Sequence, residues 1–476
     1  AKSKSGKPII ANDPHLAFSA PGKWYFAIIR SKELNVEGFT LPGVPAVVIG
    51  KNQDISWAVT NVMSDDADFY VEKLDSTGNN YTVDGVSKKF TELQDTIFVK
   101  DSEPEILKIK STYRGPIINS IHLYNQLYPS SKVNNLISMR WIALDYTNEL
   151  SSMMAVNKAK NWDEFKESLR SFNVPGQNFV YADRFNNIGY ICAAKLPSRR
   201  TNSPTMIYDG SNSANDWTGF IPYEEMPKLF NPNDNYIATA NNKVDKNFPY
   251  HISNIWEPSS RIERITELLK SKEKHSANDF MIYQNDVISP YARIITQHII
   301  TAFEGVNIKD NNLKKTLELF RVWQYDFASN NQIPSIYTRF LEKLIENIFL
   351  DEMGDDLLRE FVFVANVPYR VLPDLLKNKS SIWFDNLRTD EIETGDYIIR
   401  KSLAAALSSL EEEYGKDISR WQWGAIHKLT IKHFFSGQAS LLDRLINIGP
   451  YEIGGDGTTI FNTEYSFSEL PYGRSE

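Results

Sequence analysis

The sequence predicts an α+β protein in which a body of antiparallel strands contains a mostly helical insertion. Three observations lead to this prediction. Residues 8–75 are rich in β-branched and aromatic residues, separated into short runs by Gly, Pro and Asn, as is typical of strands. Residues 261–415 instead carry apolar side chains at helical spacing. Residues 421–433 return to strand-like alternation, and this order of strands, helices and strands fits a layered α+β body.

The segment 1–260 is predicted to form the sheet core. Its β-branched and aromatic runs predict strands at 24–31, 45–50, 55–61, 69–74, 96–100, 106–110 and 136–144. A helix is expected at 161–171, because Trp162, Phe165 and Leu169 share one face and acidic residues occupy the first turn.

A hairpin is predicted at 178–194, after the helix. Asn186 and Asn187 lie at its turn, and asparagine tolerates the positive φ that such turns require. Residues 197–236 are dense in Pro, Asn, Ser and Gly, which indicates a long ordered loop.

The segment 261–415 is predicted to be mostly helical. Apolar periodicity predicts helices at 261–270, 313–323, 336–350 and 398–413. Ser276, followed by Asn278 and Asp279, is a candidate N-cap for a further helix. The segment 416–476 is predicted to return to the core as a truncated part of it, and it contains a glycine-rich loop at 449–459.

Composition excludes several classes of protein. The net charge is −8 and no block of Lys or Arg occurs, which argues against a nucleic-acid partner. No apolar run approaches the ~18 residues of a membrane span. Cys192 is the one cysteine, so the chain has neither an internal disulfide nor a CxxC pair for zinc.

Two short segments combine turn residues with side chains that can act in catalysis. Asn12-Asp13-Pro14-His15 follows an apolar run, and proline forces an extended residue before it, so His15 is expected at a sharp strand exit. Asn241 follows the strand-like residues 236–239 and begins an Asn-Asn pair. Both segments are compatible with purely structural turns. An exposed amide at a strand end can also donate to a developing oxyanion.

A third segment, Ser64-Asp65-Asp66-Ala67-Asp68, clusters three carboxylates. Carboxylate oxygens suit a hard cation such as calcium. A solvated acidic turn explains the same residues equally well.

Several motifs occur together in a fixed order along the chain. They are 4–16 (KSGKPIIANDPHL), 50–52, 55–58, 65–68, 181–183 with 187–190, 236–242 leading to Arg261, Trp423-Gly424 with His427, and 454–458. In this order they resemble the β chain of the penicillin acylase (penicillin amidase) family of N-terminal-nucleophile hydrolases, over essentially the whole chain. The resemblance implies a four-layer αββα fold and an amide hydrolase without an organic cofactor.

The resemblance also implies catalytic roles for four residues. Asn241 would donate its side-chain amide to the oxyanion, and Asn61 would donate its backbone N–H. His15 falls beside the expected position of the nucleophile's α-amine and would tune or orient that amine. Arg261 would hold Asn241 and the substrate in place. The family's nucleophile is an N-terminal Ser, Cys or Thr, which the resemblance places upstream of Ala1.

Calcium ligands are implied at four positions by the same resemblance. They are the carboxylates of Asp65 and Asp68 and the carbonyls of Ala67 and Pro204. A further family aspartate falls at Ile252, which cannot coordinate a metal. Another ligand belongs to the family's smaller α chain, so a structural calcium ion is a prediction with an incomplete ligand set.

Four positions are implied to line the acyl pocket. Leu16 and Ile49 replace aromatic residues of enzymes that prefer phenylacetyl groups, Val59 replaces a small polar residue, and Gln177 lies near a further wall. An aliphatic lining favours an alkyl acyl group, such as that of an acyl-homoserine lactone, over an aromatic ring. The alternative is that the three aliphatic residues are ordinary strand core.

The family's partners and location complete the expectation. The resemblance implies a small-molecule N-acyl amide substrate, an α chain cut from the same precursor, and a periplasmic or secreted enzyme. Because the nucleophile is not among residues 1–476, we expect the chain by itself not to hydrolyse amides.

Two other functions were considered. One is a non-catalytic protein that binds peptides or glycans with its aromatic residues. The other is a glycoside hydrolase that uses Glu224 and Asp183, which nothing beyond the abundance of acidic and aromatic residues supports.

Overall fold

The structure is a computed structural model that describes residues 2–119, 136–200, 207–363 and 366–464. The chain packs into two compact units. Unit 1 contains Ala1–Tyr25, Asp234–Asn242 and Glu257–Glu476, and unit 2 contains Phe26–Asn233 and Lys243–Trp256. The three predicted segments follow sequence order, whereas the units follow packing, so the two divisions do not coincide.

Unit 2 contains almost all of the strands. They are β1 (Tyr25–Arg30), β2 (Asn35–Thr40), β3 (Ile49–Lys51), β4 (Ile55–Asn61), β5 (Ala67–Leu74), β6 (Asn80–Val83), β7 (Val86–Lys89), β8 (Thr91–Ile97), β9 (Glu105–Ser111), β10 (Leu136–Trp141), β11 (Gln177–Asp183), β12 (Ile188–Ala193), β13 (Pro197–Ser198), β14 (Tyr208–Asp209), β15 (Gly219–Phe220) and β16 (Lys228–Phe230). Two helices accompany them, α1 (Glu149–Val156) and α2 (Trp162–Ser168).

The strands of unit 2 form two main sheets. A seven-stranded sheet has the order β1-β2-β3-β4-β11-β12-β16, and a second sheet has the order β10-β5-β6-β7 with β14 paired to β5. Within the first sheet β11 pairs antiparallel with both β4 and β12. The side chains of Trp57, Phe179 and Tyr181 from β4 and β11 are buried, and Phe165 of α2 packs against both Phe179 and Tyr181. The middle of β4 is therefore held inside a packed sheet, and the strand ends at the exposed Asn61.

Unit 1 is mostly helical. Its helices are α3 (Ser260–Lys270), α4 (Ala277–Gln284), α5 (Pro290–Ala302), α6 (Asn311–Val322), α7 (Ile333–Phe363), α8 (Asn366–Leu375), α9 (Gly395–Tyr414), α10 (Trp423–Ile426) and α11 (Ser440–Ile446). Strands β17 (Lys428–Ile431) and β18 (Ile448–Glu452) lie on either side of α11 in the sequence and pair antiparallel. Helix α7 is broken at Gly354, whose φ of 68° is not helical. Buried apolar side chains from α5, α6, α7 and α9 form one continuous core.

The helical predictions are largely confirmed. Ser276 caps α4 in a capping box with Asp279, as its position predicts. The helices predicted at 261–270, 313–323 and 398–413 correspond to α3, α6 and α9, and the one at 336–350 corresponds to the first part of α7. Helix α5 was not predicted, although Ser289 caps it and Pro290 occupies its first turn.

The strand predictions are confirmed for β4 and for the hairpin of β11 and β12, and those at 24–31, 69–74, 106–110 and 136–144 correspond to β1, β5, β9 and β10. Two others are largely wrong. The predicted strand at 45–50 is a loop until Ile49, and 96–100 falls at the end of β8 and in the turn after it. Strands β2, β6 and β7 were missed, and residues 8–19 and 236–239 form no strand.

The end of the chain also differs from its prediction. The strand-like pattern of 421–433 is wrong for Trp423–Ile426, which form the helical turn α10 because Trp423 and Gly424 are buried on one side. The predicted glycine-rich loop begins after Glu452, since its first residues belong to β18. The predicted loop at 197–236 contains four short strands within its described part. Among the described helices, none is both long and apolar enough to cross a membrane.

Candidate active site

Asn241 lies in a tight turn of unit 1. Its φ of 60° is left-handed, a conformation that asparagine tolerates better than most residues. The backbone N–H of Glu257 donates to the Asn241 carbonyl at 3.0 Å. The side-chain oxygen of Asn242 accepts from the Ala240 N–H at 3.0 Å. The backbone of Asn241 is therefore held from both sides without belonging to a strand.

The side chain of Asn241 is oriented by Arg261. Arg261 is 6% exposed, and its Nη2 donates to Oδ1 of Asn241 at 3.0 Å. A guanidinium has donors only, so the atom that faces it must be the amide oxygen. The Nδ2 group of Asn241 is consequently directed away from Arg261. Helix α3, whose first turn contains Arg261, thus fixes which end of the amide can donate to a substrate.

Arg261 is surrounded by acidic groups. Burial lowers the pKa of Arg261, while the charges of Glu257, Asp13 and Glu464 raise it. The carboxylate of Glu257 lies 3.8 Å from Nη2 of Arg261, and Asn366 donates to its other oxygen at 3.2 Å. Glu257 therefore supports the Asn241–Arg261 pair twice, through its backbone N–H and through its charge.

His15 lies in the same unit as this pair. Its Nε2 is 3.6 Å from a carboxylate oxygen of Asp13, and its side chain is partly exposed. Since Asp13 acts electrostatically on Arg261, the predicted turn and the Asn241–Arg261 pair belong to one group of charges. The role of His15 beside a nucleophile's amine stays a prediction.

Asn61 is the last residue of β4, in unit 2, and its neighbours on β11 hold it. Gln177 donates to its side-chain oxygen at 2.8 Å, and Asn178 donates to its carbonyl at 3.1 Å. Asn178 is fully buried, and its own side-chain oxygen accepts from the Tyr190 hydroxyl at 2.7 Å. The backbone at Asn61 is therefore placed by a buried polar network. Its role as an oxyanion donor stays a prediction.

The positions predicted to line the pocket differ in burial. Ile49 and Val59 are each 8% exposed, on β3 and β4, while Leu16 is 42% exposed. The side-chain amide of Gln177 donates a hydrogen bond to the side-chain oxygen of Asn61. The burial of Ile49 and Val59 agrees with the strand-core alternative as well as with a pocket, so the acyl preference stays a prediction.

The predicted calcium ligands Asp65 and Asp68 face an arginine. Nε of Arg199 lies 2.7 Å from Oδ2 of Asp68, and Nη2 lies 3.0 Å from the carbonyl of Asp65. The indole N–H of Trp217 also donates to Asp68, at 2.5 Å, and Nε2 of His251 lies 2.9 Å from Asp65. A guanidinium therefore already balances these carboxylates.

The described residues alone do not make a calcium cage. No group of three or more His, Cys, Asp or Glu side chains there is arranged to hold a metal ion. Ile252 contributes only its backbone, which accepts from the Asp65 N–H. Pro204 lies outside the described residues, so calcium binding and the role of Ala67 stay predictions.

Three residues that the sequence did not single out support this arrangement. They are Asn178, Glu257 and Arg199. A polar residue in the middle of the apolar strand β11 is a signal that could have identified Asn178, since buried amides require partners. Glu257 and Arg199 lie in irregular segments, where no periodicity predicts which charges meet.

The fold matches that of a known class of hydrolase. The thermostable penicillin G acylase from Alcaligenes faecalis superposes with a TM-score of 0.75 over 93% of this chain and 83% of its own, at 18% identity. This confirms the predicted N-terminal-nucleophile hydrolase fold. The sequence model of the penicillin amidase family matches residues 1–475. The chain therefore belongs to the penicillin amidase family, as its motifs predict.

The relatives include two kinds of acylase. The acyl-homoserine lactone acylase QuiP of Pseudomonas aeruginosa is 27% identical over 98% of this chain and 59% of its own length. The penicillin acylase 2 proenzyme of Pseudomonas sp. strain SE83 is 23% identical over 96% of this chain and 57% of its own. The penicillin G acylase of Escherichia coli is 29% identical over 58% of this chain and 32% of its own. The chain thus spans less than two thirds of the length of these relatives.

Proposed function

We propose that the complete protein is an amidohydrolase that cleaves N-acyl amides, with acyl-homoserine lactones as the first substrate class to test. The observation that carries this proposal is the contact of 3.0 Å between Arg261 and Oδ1 of Asn241. This contact turns the amide so that Nδ2 can serve as a fixed donor, and a preorganised donor is what an acyl-transfer site needs.

The reaction would proceed through an acyl-enzyme. The hydroxyl or thiol of an N-terminal Ser, Cys or Thr outside this chain attacks the amide carbon, and its proton passes to the α-amine. The carbonyl oxygen becomes an oxyanion, to which the side-chain amide of Asn241 donates a hydrogen bond. The C–N bond breaks and the amine leaves with the proton. Water then attacks the ester or thioester, which releases the acid and restores the nucleophile.

An aliphatic acyl group is the preferred substrate of this proposal. The pocket positions Leu16, Ile49 and Val59 carry no aromatic ring. A phenyl group gains binding energy by stacking on aromatic side chains, whereas a flexible alkyl chain does not depend on stacking. A pocket without aromatic side chains therefore weakens binding of a phenyl group more than binding of an alkyl chain. The name acyl-homoserine lactone acylase that several relatives carry agrees with this preference.

The proposal includes a partner and a location. The smaller chain cut from the same precursor would complete the enzyme, and one relative is named a proenzyme. The complete enzyme would act in the periplasm or outside the cell, as the resemblance implies. Calcium would be a structural ion only, and no step of the reaction passes through it.

The decisive experiment uses the complete protein and its Asn241→Ala variant. Hydrolysis of N-octanoyl-homoserine lactone and of a phenylacetyl amide is measured for both. We expect turnover of the octanoyl substrate by the parent, and a loss of kcat of about 10²–10³ in the variant because one oxyanion donor is removed. Asn247→Ala, at an exposed asparagine of the neighbouring loop, is the matched control and should retain activity.

Two outcomes would contradict the proposal in different ways. Full activity of Asn241→Ala would exclude its role as a donor. Tight binding of peptides or glycans by a complete protein without any amide hydrolysis would favour the non-catalytic alternative. A strong preference for the phenylacetyl substrate would leave the amidohydrolase in place and reject the aliphatic pocket.

A further inference from the structure

The glycine-rich loop after β18 follows a path that only glycine permits. Gly455 has a φ of 79°, and a Cβ there would lie 2.2 Å from the carbonyl oxygen of Phe461. A Cβ on Gly454 would lie 2.6 Å from the carbonyl oxygen of Phe327. The N–H of Gly455 donates to this same Phe327 carbonyl at 2.8 Å. These contacts hold Gly454 and Gly455 against Phe327 of the unit 1 core, directly before Asp456 and Thr458 in the sequence.

Asp456 fixes the orientation of Thr458. The carboxylate oxygen Oδ1 of Asp456 accepts from the Thr458 N–H at 2.8 Å and from the Thr458 hydroxyl at 2.7 Å. Both residues are almost fully buried. The single hydroxyl proton of Thr458 is therefore used on Asp456. Its Oγ1 is left as an acceptor.

Thr458 contacts a serine at the start of each of two helices. Ser289, the N-cap of α5, has its hydroxyl 2.7 Å from Oγ1 of Thr458 and must be the donor there. Ser260, the first residue of α3, donates its hydroxyl to the carbonyl of Thr458 at 2.6 Å. Ser260 and Ser289 are both buried. One residue thus sets the position of both helix starts.

The next residue along α3 is Arg261, which holds Asn241. Because Ser260 and Arg261 are consecutive in the first turn, a shift of the helix start moves the guanidinium by a similar distance. A contact of 3.0 Å does not survive a displacement near 1 Å, and such misplacements cost up to about 10²-fold in rate.

We propose that Thr458 is a positioning residue for Asn241, and that it acts through the Ser260 hydroxyl and the Arg261 guanidinium. This rests on the proposed function of Asn241. It assigns a catalytic consequence to the 454–458 motif, whose contacts otherwise account only for packing. Thr458 lies in unit 1 with every other member of the chain of contacts.

The experiment measures steady-state kinetics of the complete protein with Ser260→Ala and Thr458→Val. Alanine at the first position of a helix is well tolerated, so Ser260→Ala removes the hydrogen bond with little risk to folding. Ser259→Ala is its matched control, because the Ser259 hydroxyl bonds to Glu263 at the exposed surface. Thr458→Ser is the control for Thr458→Val, since it restores the hydroxyl.

We expect Ser260→Ala and Thr458→Val to lower kcat about tenfold and to leave KM within about twofold, because the oxyanion exists only in the transition state. Both controls should keep the parent kcat. Combined with Arg261→Lys, Ser260→Ala should cause no further loss, since the two changes act on one interaction. Purely structural contacts would lower Tm without this kinetic coupling.

The outcomes separate this inference from the proposed function. An unchanged kcat in Ser260→Ala, with or without a lower Tm, overturns the positioning role. A loss that adds fully to that of Arg261→Lys also overturns it, because the effect then travels by another route. If Asn241→Ala itself leaves kcat unchanged, the proposed function fails instead. If Thr458→Val does not fold, Ser260→Ala and its control decide alone.

Discussion

The buried guanidinium of Arg261 determines which end of the neutral Asn241 side-chain amide faces it. The two ends of an asparagine amide are nearly the same size, so packing alone does not choose between them. A guanidinium that has only donors makes the choice chemically. This explains why the chain keeps Arg261 buried against Asn241 despite the desolvation that lowers its pKa.

Arg199 is predicted to be a major stabilising residue of unit 2. Its side chain is 7% exposed and lies between Asp65 and Asp68, of which Asp68 is 2% exposed. Arg199→Gln leaves a buried carboxylate without its cation, which typically costs about 3–5 kcal/mol. Thermal or urea unfolding would measure the loss. Arg200→Gln, at the adjacent exposed arginine, is the control and should change stability little.

The same unfolding assay tests the calcium prediction. If Asp65 and Asp68 bind a calcium ion while Arg199 is present, addition of calcium to the parent protein after treatment with a chelator should raise its Tm. An unchanged Tm would mean that the guanidinium is the only cation these carboxylates bind. A stability of Arg199→Gln equal to that of the parent would contradict the importance of the ion pair.

Asp456 gives a prediction for pH. Burial raises its pKa from 3.8 to about 6, so the folded state binds a proton between these two values that the unfolded state has lost. The stability contributed by this group is therefore present below about pH 4 and is lost as the pH rises through 6. Asp456→Asn should be more stable than the parent at pH 7, and the difference should shrink towards pH 4.

Urea unfolding of both proteins from pH 4 to pH 8 checks this prediction. Because the two proteins differ at one position, the titration of all other groups cancels in the comparison. A stability difference that does not vary with pH would show that Asp456 titrates normally.

At the scale of elements, strand β4 was predicted with its observed bounds, whereas β2 was not predicted at all. In β4 the apolar run Trp57-Ala58-Val59 follows Ile55 after a single serine and is buried throughout, which is typical of a strand covered on both faces. In β2 the sequence Asn-Val-Glu-Gly-Phe-Thr contains a glycine and an acid that weaken the pattern. Gly38 is required there because a Cβ would lie 2.1 Å from the Ile49 carbonyl oxygen, a tertiary contact that the local sequence does not reveal.

The pairing of β4 with β11 leads to a prediction about Asn178. Asn178→Ala removes the donors to Asn61 and Thr60 and leaves the Asn61 carbonyl without this partner. We expect a loss of about 2 kcal/mol in stability together with a lower kcat in the complete protein, since the backbone at Asn61 is then less fixed. Tyr190→Phe removes the hydroxyl that donates to the far side of Asn178 and leaves the donors to Asn61 and Thr60 in place, so it should cost stability with a smaller effect on kcat.

Kinetics and unfolding of both variants separate these effects. If Tyr190→Phe reduces kcat as much as Asn178→Ala does, the network acts on general stability rather than on Asn61. If neither variant changes kcat, the amide of Asn178 has no part in the site.

At the scale of the molecule, the sequence predicted the family and the α+β class but not the grouping of segments. Motifs such as 236–242 are recognisable because they contain residue types of the penicillin amidase family in the order in which that family has them. Which stretches pack together depends on contacts between distant residues, such as those of Thr458 with Ser260, and periodicity carries no information about them. The sequence singled out Asn241 and Arg261, which the structure brings into contact, but it did not single out Glu257 or Thr458 as their supports. The catalytic roles of Asn241 and Arg261 stay predictions.

Segments of the two units alternate along the chain, so translation completes unit 2 before it completes unit 1. Every stretch of unit 2 has been translated once residue 256 is reached, and its sheets can close as soon as that residue has emerged from the ribosomal exit tunnel. Unit 1 must wait, because its first residues pack with helices made much later. The N-terminal arm that carries His15 therefore remains without its final neighbours during most of translation. Nascent chains halted far enough beyond residue 256 for that residue to have emerged should protect β4 from protease while leaving the arm open to cleavage.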